Sequence, residues 1–322
     1  MELPTVLKNA IESNVAPFQN SSLVKASREL SLRYRESSGD GKRITVTELD
    51  SAVYAAVRMP ATYSALLTSL KYAFGCCRMK PETVLDAGAG TGTAAWALSE
   101  LTGGGECITC VEREAEMIKL GKKLMSADES LLCRVSWIRN DAAVMLPDEK
   151  YDLVIASYLL GEMTQAQRLK TARMLWERTG KLLLIVAPGT PDSYSQMMEV
   201  RSELLSDGAY LAAPCPHAGG CPLGENDWCN FTCRVARSKL HKLLKGGDAP
   251  YEDEKFFYLA FTREPAAQCS SRILRHPLTD KNRMTLTLCC GDGTIKTECV
   301  TKKDGELFKA AKKASCGDSF PV

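Results

Sequence analysis

The 322-residue chain predicts an α/β fold: a parallel sheet covered by helices on both faces. Three observations carry this. Between about 80 and 263, short apolar runs alternate with amphipathic stretches of helical length, the pattern of strands buried on both sides and the helices that cover them. A glycine-rich stretch follows the first of those runs and opens the first of those helices. The flanking regions differ, with helical periodicity before and hairpin signals after.

Taken in order, residues 1–78 read as an N-terminal helical region. The segment Leu23-Val24-Lys25-Ala26-Ser27-Arg28-Glu29-Leu30-Ser31 has helical spacing, and Leu49 to Tyr72 is a longer apolar-periodic region. Met59-Pro60 interrupts it; proline lacks an amide proton and clashes with the preceding turn, so a helix ends or kinks there. Ser37-Ser38-Gly39-Asp40-Gly41 is a loop by composition. The core, 79–265, has candidate strands at Thr83–Ala87, Glu106–Val111, Val135–Arg139, Tyr151–Ser157, Lys181–Ala187 and Lys255–Thr262. Thr93–Leu101, Glu114–Met125 and Thr164–Arg178 lie between them as helices. The last strand follows a long insertion, about 212–250, which holds a cysteine cluster and the basic segment Arg234–Lys245. Residues 266–322 form an appended β unit. There Met284–Cys290 and Thr294–Thr301 flank Gly291-Asp292-Gly293, a hairpin signal, and Asp304-Gly305 leads into a basic helix ending near Ala314.

Composition excludes several classes. Hydrophobic content of 45% and charged content of 25% are those of an ordinary globular chain, and no apolar run is long enough to span a membrane. The first twenty residues hold one lysine and two glutamates, which fits neither a secretory signal nor an arginine-rich transit peptide. The expectation from this alone is a mature or intracellular chain. A net charge of +2 gives no global argument for nucleic acid, but its distribution is uneven. Residues 230–322 hold seventeen Lys/Arg against eleven Asp/Glu, hence +6, which leaves −4 for the rest. That asymmetry suits an RNA-facing C-terminal part, and equally a solvated mixed surface. With no signal peptide, the fourteen cysteines read as thiols or metal ligands rather than disulfides. Cys76, Cys77, Cys107, Cys110 and Cys133 sit in apolar runs and read as small core residues.

The glycine stretch is Val84-Leu85-Asp86-Ala87-Gly88-Ala89-Gly90-Thr91-Gly92. Glycines after a strand let the backbone turn tightly and approach a ligand, and the following helix N-terminus favours an anion. The G-x-G-x-G spacing is not the G-x-G-x-x-G of a dinucleotide site, and the lysine of a P-loop is missing. Glu112, twenty residues after Gly92, ends the second strand, where an acid accepts hydrogen bonds from ribose hydroxyls. Asn140-Asp141 ends the third, where a carboxylate can hold an adenine amino group. Together these suggest S-adenosylmethionine on a class I methyltransferase (Rossmann-like) core, with Asp86, Gly88, Ala89, Gly90, Gly92, Glu112 and Asp141 as binding residues. In that reading the loop amides face the methionine carboxylate and Asp86 orders the loop. After the fourth strand stands Ala156-Ser157-Tyr158-Leu159-Leu160-Gly161-Glu162, with no Asn/Asp-Pro-Pro-aromatic group for an exocyclic amine. No catalytic residue is assigned, and turnover stays open.

Three cysteines and a histidine then fall within fifteen residues, Cys215, His217, Cys221 and Cys229. Read locally, Cys215-x5-Cys221-x7-Cys229-x3-Cys233 is a four-thiolate site in a loop too rich in proline and glycine for helix or strand. The spacing is not the C-x2-C of zinc ribbons, whereas iron–sulfur clusters accept looser spacings and a distant ligand. Zinc and iron–sulfur both remain open on these residues.

Further motifs make a resemblance specific: Arg58-Met59-Pro60-Ala61-Thr62-Tyr63, Ala187-Pro188-Gly189-Thr190-Pro191, Pro214-Cys215-Pro216-His217, Cys221-Pro222-Leu223, Trp228-Cys229-x-Phe231, Pro250-Tyr251-Glu252-Asp253-Glu254-Lys255-Phe256 and Cys316-Gly317-Asp318. With the glycine loop, they make nearly the whole chain resemble the Rsm-type, methyltransferase-like family linked to assembly of the mitochondrial small ribosomal subunit. The resemblance implies a 4Fe-4S cluster on Cys215, Cys221, Cys229 and a cysteine of the C-terminal hairpin, Cys289 rather than Cys290. It further implies small-subunit rRNA and ribosomal proteins as partners, no membrane, a monomer when free, and a mitochondrial location. The alternative functions are an active RNA methyltransferase and a zinc-stabilised RNA-binding module; the alternative location is cytoplasmic. Cys316 stands where the family commonly has Trp.

Overall fold

The computed structural model of the chain describes residues 1–36, 47–224 and 226–321. It opens with α1 (Thr5–Val15), α2 (Asn20–Glu36), α3 (Glu48–Val57) and α4 (Met59–Cys77). Thr47 and Asp50 form a reciprocal capping box at the start of α3. Helix α4 starts one residue after α3 ends, with Pro60 in its first turn, where the missing amide leaves no bond unmade. The predicted break is therefore a helix–helix junction, and Arg58 is its hinge residue. The loop expected at Ser37–Gly41 lies outside the described residues.

The core runs β1 (Thr83–Ala87), α5 (Thr93–Thr102), β2 (Cys107–Glu112), α6 (Ala115–Met125), α7 (Glu129–Leu132), β3 (Val135–Arg139), β4 (Tyr151–Ser157), α8 (Gln165–Arg178), β5 (Thr179–Pro188), α9 (Pro191–Ser206), β6 (Tyr210–Ala213), β7 (Phe231–Ala236), α10 (Lys239–Lys245) and β8 (Tyr251–Thr262). The strand order is β3-β2-β1-β4-β5-β8-β6, with β7 also on β8. Strands β1 to β5 are parallel, and the order reverses between β1 and β4, which opens a crevice at their C-terminal ends. Val84, Leu85, Leu153, Val154, Leu183 and Leu184 are fully buried, as a sheet covered on both faces requires.

The sheet departs from an all-parallel one at its far edge. Strand β8 is antiparallel to β5, β6 and β7. An apolar run carries no mark of its direction, so the sequence showed the strand and not its sense. The strand is twelve residues long. Its first half pairs with β7, from Tyr251↔Ala236 to Phe256↔Phe231, and its last residues pair with β6, as in Phe261↔Leu211. Residues 214–230 thus leave the sheet edge at β6 and rejoin it at β7, a loop fixed at both ends. The basic segment Arg234–Lys245 divides into the end of β7 and the short helix α10.

The C-terminal unit is β9 (Ser271–Ile273), β10 (Leu278–Asp280), β11 (Arg283–Cys290), β12 (Ile295–Thr301) and α11 (Glu306–Lys313). Alternation along β11 sends Met284, Leu286, Leu288 and Cys290 into a small core with Ile273, Val300, Ala311 and Phe320. Cys289, on the other face, belongs to the main core. Buried Arg272 of β9 joins the two units: its Nε donates to the Pro214 carbonyl at 2.8 Å and its Nη1 to that of Gly317 at 2.9 Å. The whole is a class I methyltransferase (Rossmann-like) core with an N-terminal helical region and a small C-terminal β extension. Among the described residues no helix is long and apolar enough to cross a membrane.

Candidate functional site

A cavity of about 340 Å³ opens over the C-terminal ends of β1, β2 and β4, roofed by α2, α3 and α4. Gly88, Gly90, Glu112 and Asp141 line it; Asp86, Ala89 and Gly92 do not. A Cβ at Gly90 (φ +57°) would make only ordinary van der Waals contact, with Met117 Cε at 3.5 Å and the Tyr54 hydroxyl at 3.7 Å, so it is the left-handed backbone that calls for glycine here. At Gly92 (φ +80°) a Cβ would run into Met125 and Trp137, so this glycine serves packing. Asp86 is buried beneath the loop, with Oδ2 lacking a hydrogen-bond partner. Burial, and then the Glu112 carboxylate, push its pKa up to about 7. No hydrogen bond from it orders the loop.

The loop amides do not have the role expected of them. Those of Gly88 and Ala89 donate to the Val111 carbonyl at 2.9 and 3.0 Å, and that of Gly92 to Ala89 at 2.8 Å. The Gly90 amide donates to Glu112 Oε2 at 2.8 Å, and the Glu114 amide to Oε1 at 2.8 Å. Glu112 therefore braces the loop from the ligand side of β2. Asp141 Oδ1 accepts from the Ala143 amide at 2.9 Å, and Oδ2 lies 3.5 Å from Arg113 Nη1.

Tyr34, Tyr54, Arg58 and Thr62 of the N-terminal helices and Glu254 of β8 are wall residues that the sequence did not single out; Tyr158 and Glu162 belong to the stretch after the fourth strand where an acceptor-facing group was sought. Arg58 lies over the Tyr34 ring, 4.4 Å from its centroid. Tyr158 sits at φ 56°, a strained setting for a bulky residue, and its hydroxyl donates to Glu254 at 2.8 Å. Burial raises the Glu162 pKa to about 7 against the pull of Arg113, whose Nη2 lies 3.9 Å away. The signal available was Arg58-Met59-Pro60-Ala61-Thr62-Tyr63, which was read as a family mark and not as a pocket wall.

A second, apolar cavity lies at the sheet edge, and Cys215, Cys221, Cys229 and Cys289 all line it. They come from two segments: three from the start, middle and end of the 214–230 loop, and one from β11 of the C-terminal unit. Tyr194 donates to Cys221 Sγ at 3.0 Å, Arg201 Nη2 donates to the His217 and Gly219 carbonyls at 3.2 and 2.7 Å, and His217 Nε2 lies 3.5 Å from Cys289 Sγ. Burial, and then the other thiols, push Cys229 well up and Cys289 to about 12. Arg201 and Arg272 also line the cavity, each 3% exposed, and among the described residues neither has a carboxylate partner. Arg201 Nε, Arg272 Nη2 and His217 Nδ1 are buried without hydrogen-bond partners. Cys233 is elsewhere, opposite Glu254 on β8, and Cys290 is in the small core. Among the described residues no three potential ligands converge tightly enough for a single metal ion.

The model of the family described as mitochondrial small ribosomal subunit Rsm22 matches residues 48–321. The chain belongs to the Rsm22 family. The human ribosome assembly protein METTL17, mitochondrial, is 27% identical over 89% of this chain and 66% of its own length. Rsm22-cox11 tandem protein 2, mitochondrial, of Schizosaccharomyces pombe is 25% identical over 98% of this chain and 49% of its own. This chain therefore spans less than two thirds of either relative. The mitochondrial designation of the Rsm22 family and of both relatives assigns it to the mitochondrion, as the resemblance implied. Magnesium protoporphyrin IX methyltransferase of Synechocystis is a distant structural likeness, at 16% identity and a TM-score of 0.41 over 73% of this chain and 94% of that one.

Proposed function

We propose that the chain is an assembly factor of the mitochondrial small ribosomal subunit that binds S-adenosylmethionine and a 4Fe-4S cluster. The observation that carries the cluster is one cavity ringed by four thiols from distant segments, beside two buried arginines without carboxylates. A buried cation needs a counter-charge, and four thiolates on an iron–sulfur core supply a net anionic one. Cys215, Cys221, Cys229 and Cys289 would hold it. Zinc needs its ligands around one point, and among the described residues no three ligands converge so tightly. The cluster's part would be to cross-link β11 to the sheet edge.

In the first cavity, Glu112 would stand beside the ribose and Asp141 and Asn140 at the adenine end. The methyl-facing position after β4 is taken by Tyr158, locked onto Glu254, and no base stands out there. S-adenosylmethionine thus acts as a structural ligand in this reading. Small-subunit rRNA would meet the basic face of α10 and the lysines of β12 and α11, with ribosomal proteins alongside and the free protein monomeric. Such contacts predict salt-sensitive RNA binding. The test is oxygen-free purification followed by a visible spectrum and assays of iron, sulfide and zinc. Iron and sulfide in equal amounts, lost in Cys221→Ser, support the proposal; zinc alone, or no metal, refutes it.

A further inference from the structure

The cofactor reading leaves one group of S-adenosylmethionine without the partner that the glycine loop was expected to supply. Its amino-acid carboxylate needs donors, and the amides of Gly88, Ala89, Gly90 and Gly92 are all spent inside the protein. The walls are rich in carboxylates: Glu112, Glu114, Asp141, Glu162 and Glu254. These suit the sulfonium, the ammonium and the ribose hydroxyls, and repel a carboxylate. Cations that could answer it are few. Arg113 pairs with Glu114 at 3.3 Å and Asp141 at 3.5 Å, and Lys245 with Glu252 at 2.7 Å. Arg35 is an exposed residue at the rim.

Arg58 is different. It sits at the α3–α4 junction, lines the cavity, and makes no ion pair within 4 Å among the described residues, although its charge reaches the Glu254 carboxylate across the cavity. Its backbone is fixed by the bond from its amide to the Tyr54 carbonyl at 2.8 Å, and its guanidinium is braced on the Tyr34 ring. A planar fork held this way matches a carboxylate's two oxygens. We propose that Arg58 holds the amino-acid carboxylate of S-adenosylmethionine and so makes the site selective for amino-acid-bearing nucleosides. The proposal rests on the cofactor reading above and names the residue that this reading lacked. It also gives the N-terminal helices a role in binding, because the Arg58–Tyr34 contact joins the α3–α4 junction to α2.

The probe is a ligand pair: S-adenosylhomocysteine, and methylthioadenosine, the same nucleoside thioether without the amino-acid group. The full chain, purified without oxygen, is titrated calorimetrically with each. Arg58→Met keeps the stem and removes the charge. It should weaken S-adenosylhomocysteine about 10- to 100-fold and leave methylthioadenosine unchanged, with partial recovery in Arg58→Lys. Because both ligands are read on the same variant, selective weakening of S-adenosylhomocysteine cannot come from a general loss of fold. Equal weakening of both, or no weakening of either, overturns the proposal. If the unaltered chain binds neither ligand, the cofactor reading itself fails, and this assignment with it.

Discussion

If the cavity holds S-adenosylmethionine as proposed, Glu162 would set which form of the cofactor it prefers. Its carboxyl titrates at about 7 because burial disfavours its charge. S-adenosylmethionine carries a positive sulfur and S-adenosylhomocysteine a neutral one, and the two are otherwise alike in charge. A protonated Glu162 gives the sulfonium nothing, and an ionised one attracts it. The ratio of the two affinities should therefore shift toward S-adenosylmethionine as pH rises from one unit below that value to one unit above. Calorimetric titrations across that window check it, and Glu162→Gln should flatten the trend. A ratio that stays constant in the unaltered chain would rule out Glu162 as its source. Gly88, Gly90, Glu112 and Asp141 follow strands at fixed offsets, and Glu162 lies in the stretch after the fourth strand that the sequence already marked; Arg58 reaches the cavity from a helix junction that carries no such offset.

At the level of elements, register decides what spacing could not. On β11, neighbouring residues point to opposite faces, so Cys289 lines the apolar cavity while Cys290 packs with Leu286 and Leu288. The hairpin signal was plain in the sequence, but two adjacent cysteines left the choice to a pattern borrowed from a family. Cys289→Ser should abolish most of the iron bound by the purified protein. Cys290→Ser should keep the iron and lower the melting temperature, since it puts a hydroxyl into a small apolar core at a cost of about 1–3 kcal/mol. Iron and sulfide content measured beside a thermal melt separates the two outcomes. The opposite pattern would move the fourth ligand to Cys290. The central parallel strands β1, β4 and β5 were legible for a related reason: each is a short run buried on both faces. Strand β6 is only four residues long, and β7 was hidden within a segment read for its charge.

Across the whole molecule, the loop 214–230 and β11 belong to different units and meet at the cavity edge, where Arg275 also pairs with Asp227. Backbone bonds hold the large sheet together along β1 to β8, and the small sheet has its own core around Leu286 and Phe320. Between them stand Arg272, bonded to Pro214 and Gly317, and the four thiols. If those thiols share a cluster, removing it deletes the cross-link and leaves two like-charged, buried guanidiniums without an anion nearby. The parallel strands lose nothing by this. Hydrogen exchange should then show a local effect: amides of 214–230 and of β9 to β12 exchange faster after iron is chelated, while β1, β4 and β5 keep their protection. The same local pattern should appear in Cys221→Ser without chelator. Faster exchange everywhere would mean that the cluster supports the global fold. Unchanged exchange at β9 to β12 would mean that Arg272 and the packing hold the units together unaided, and that the thiols do not act as a joint.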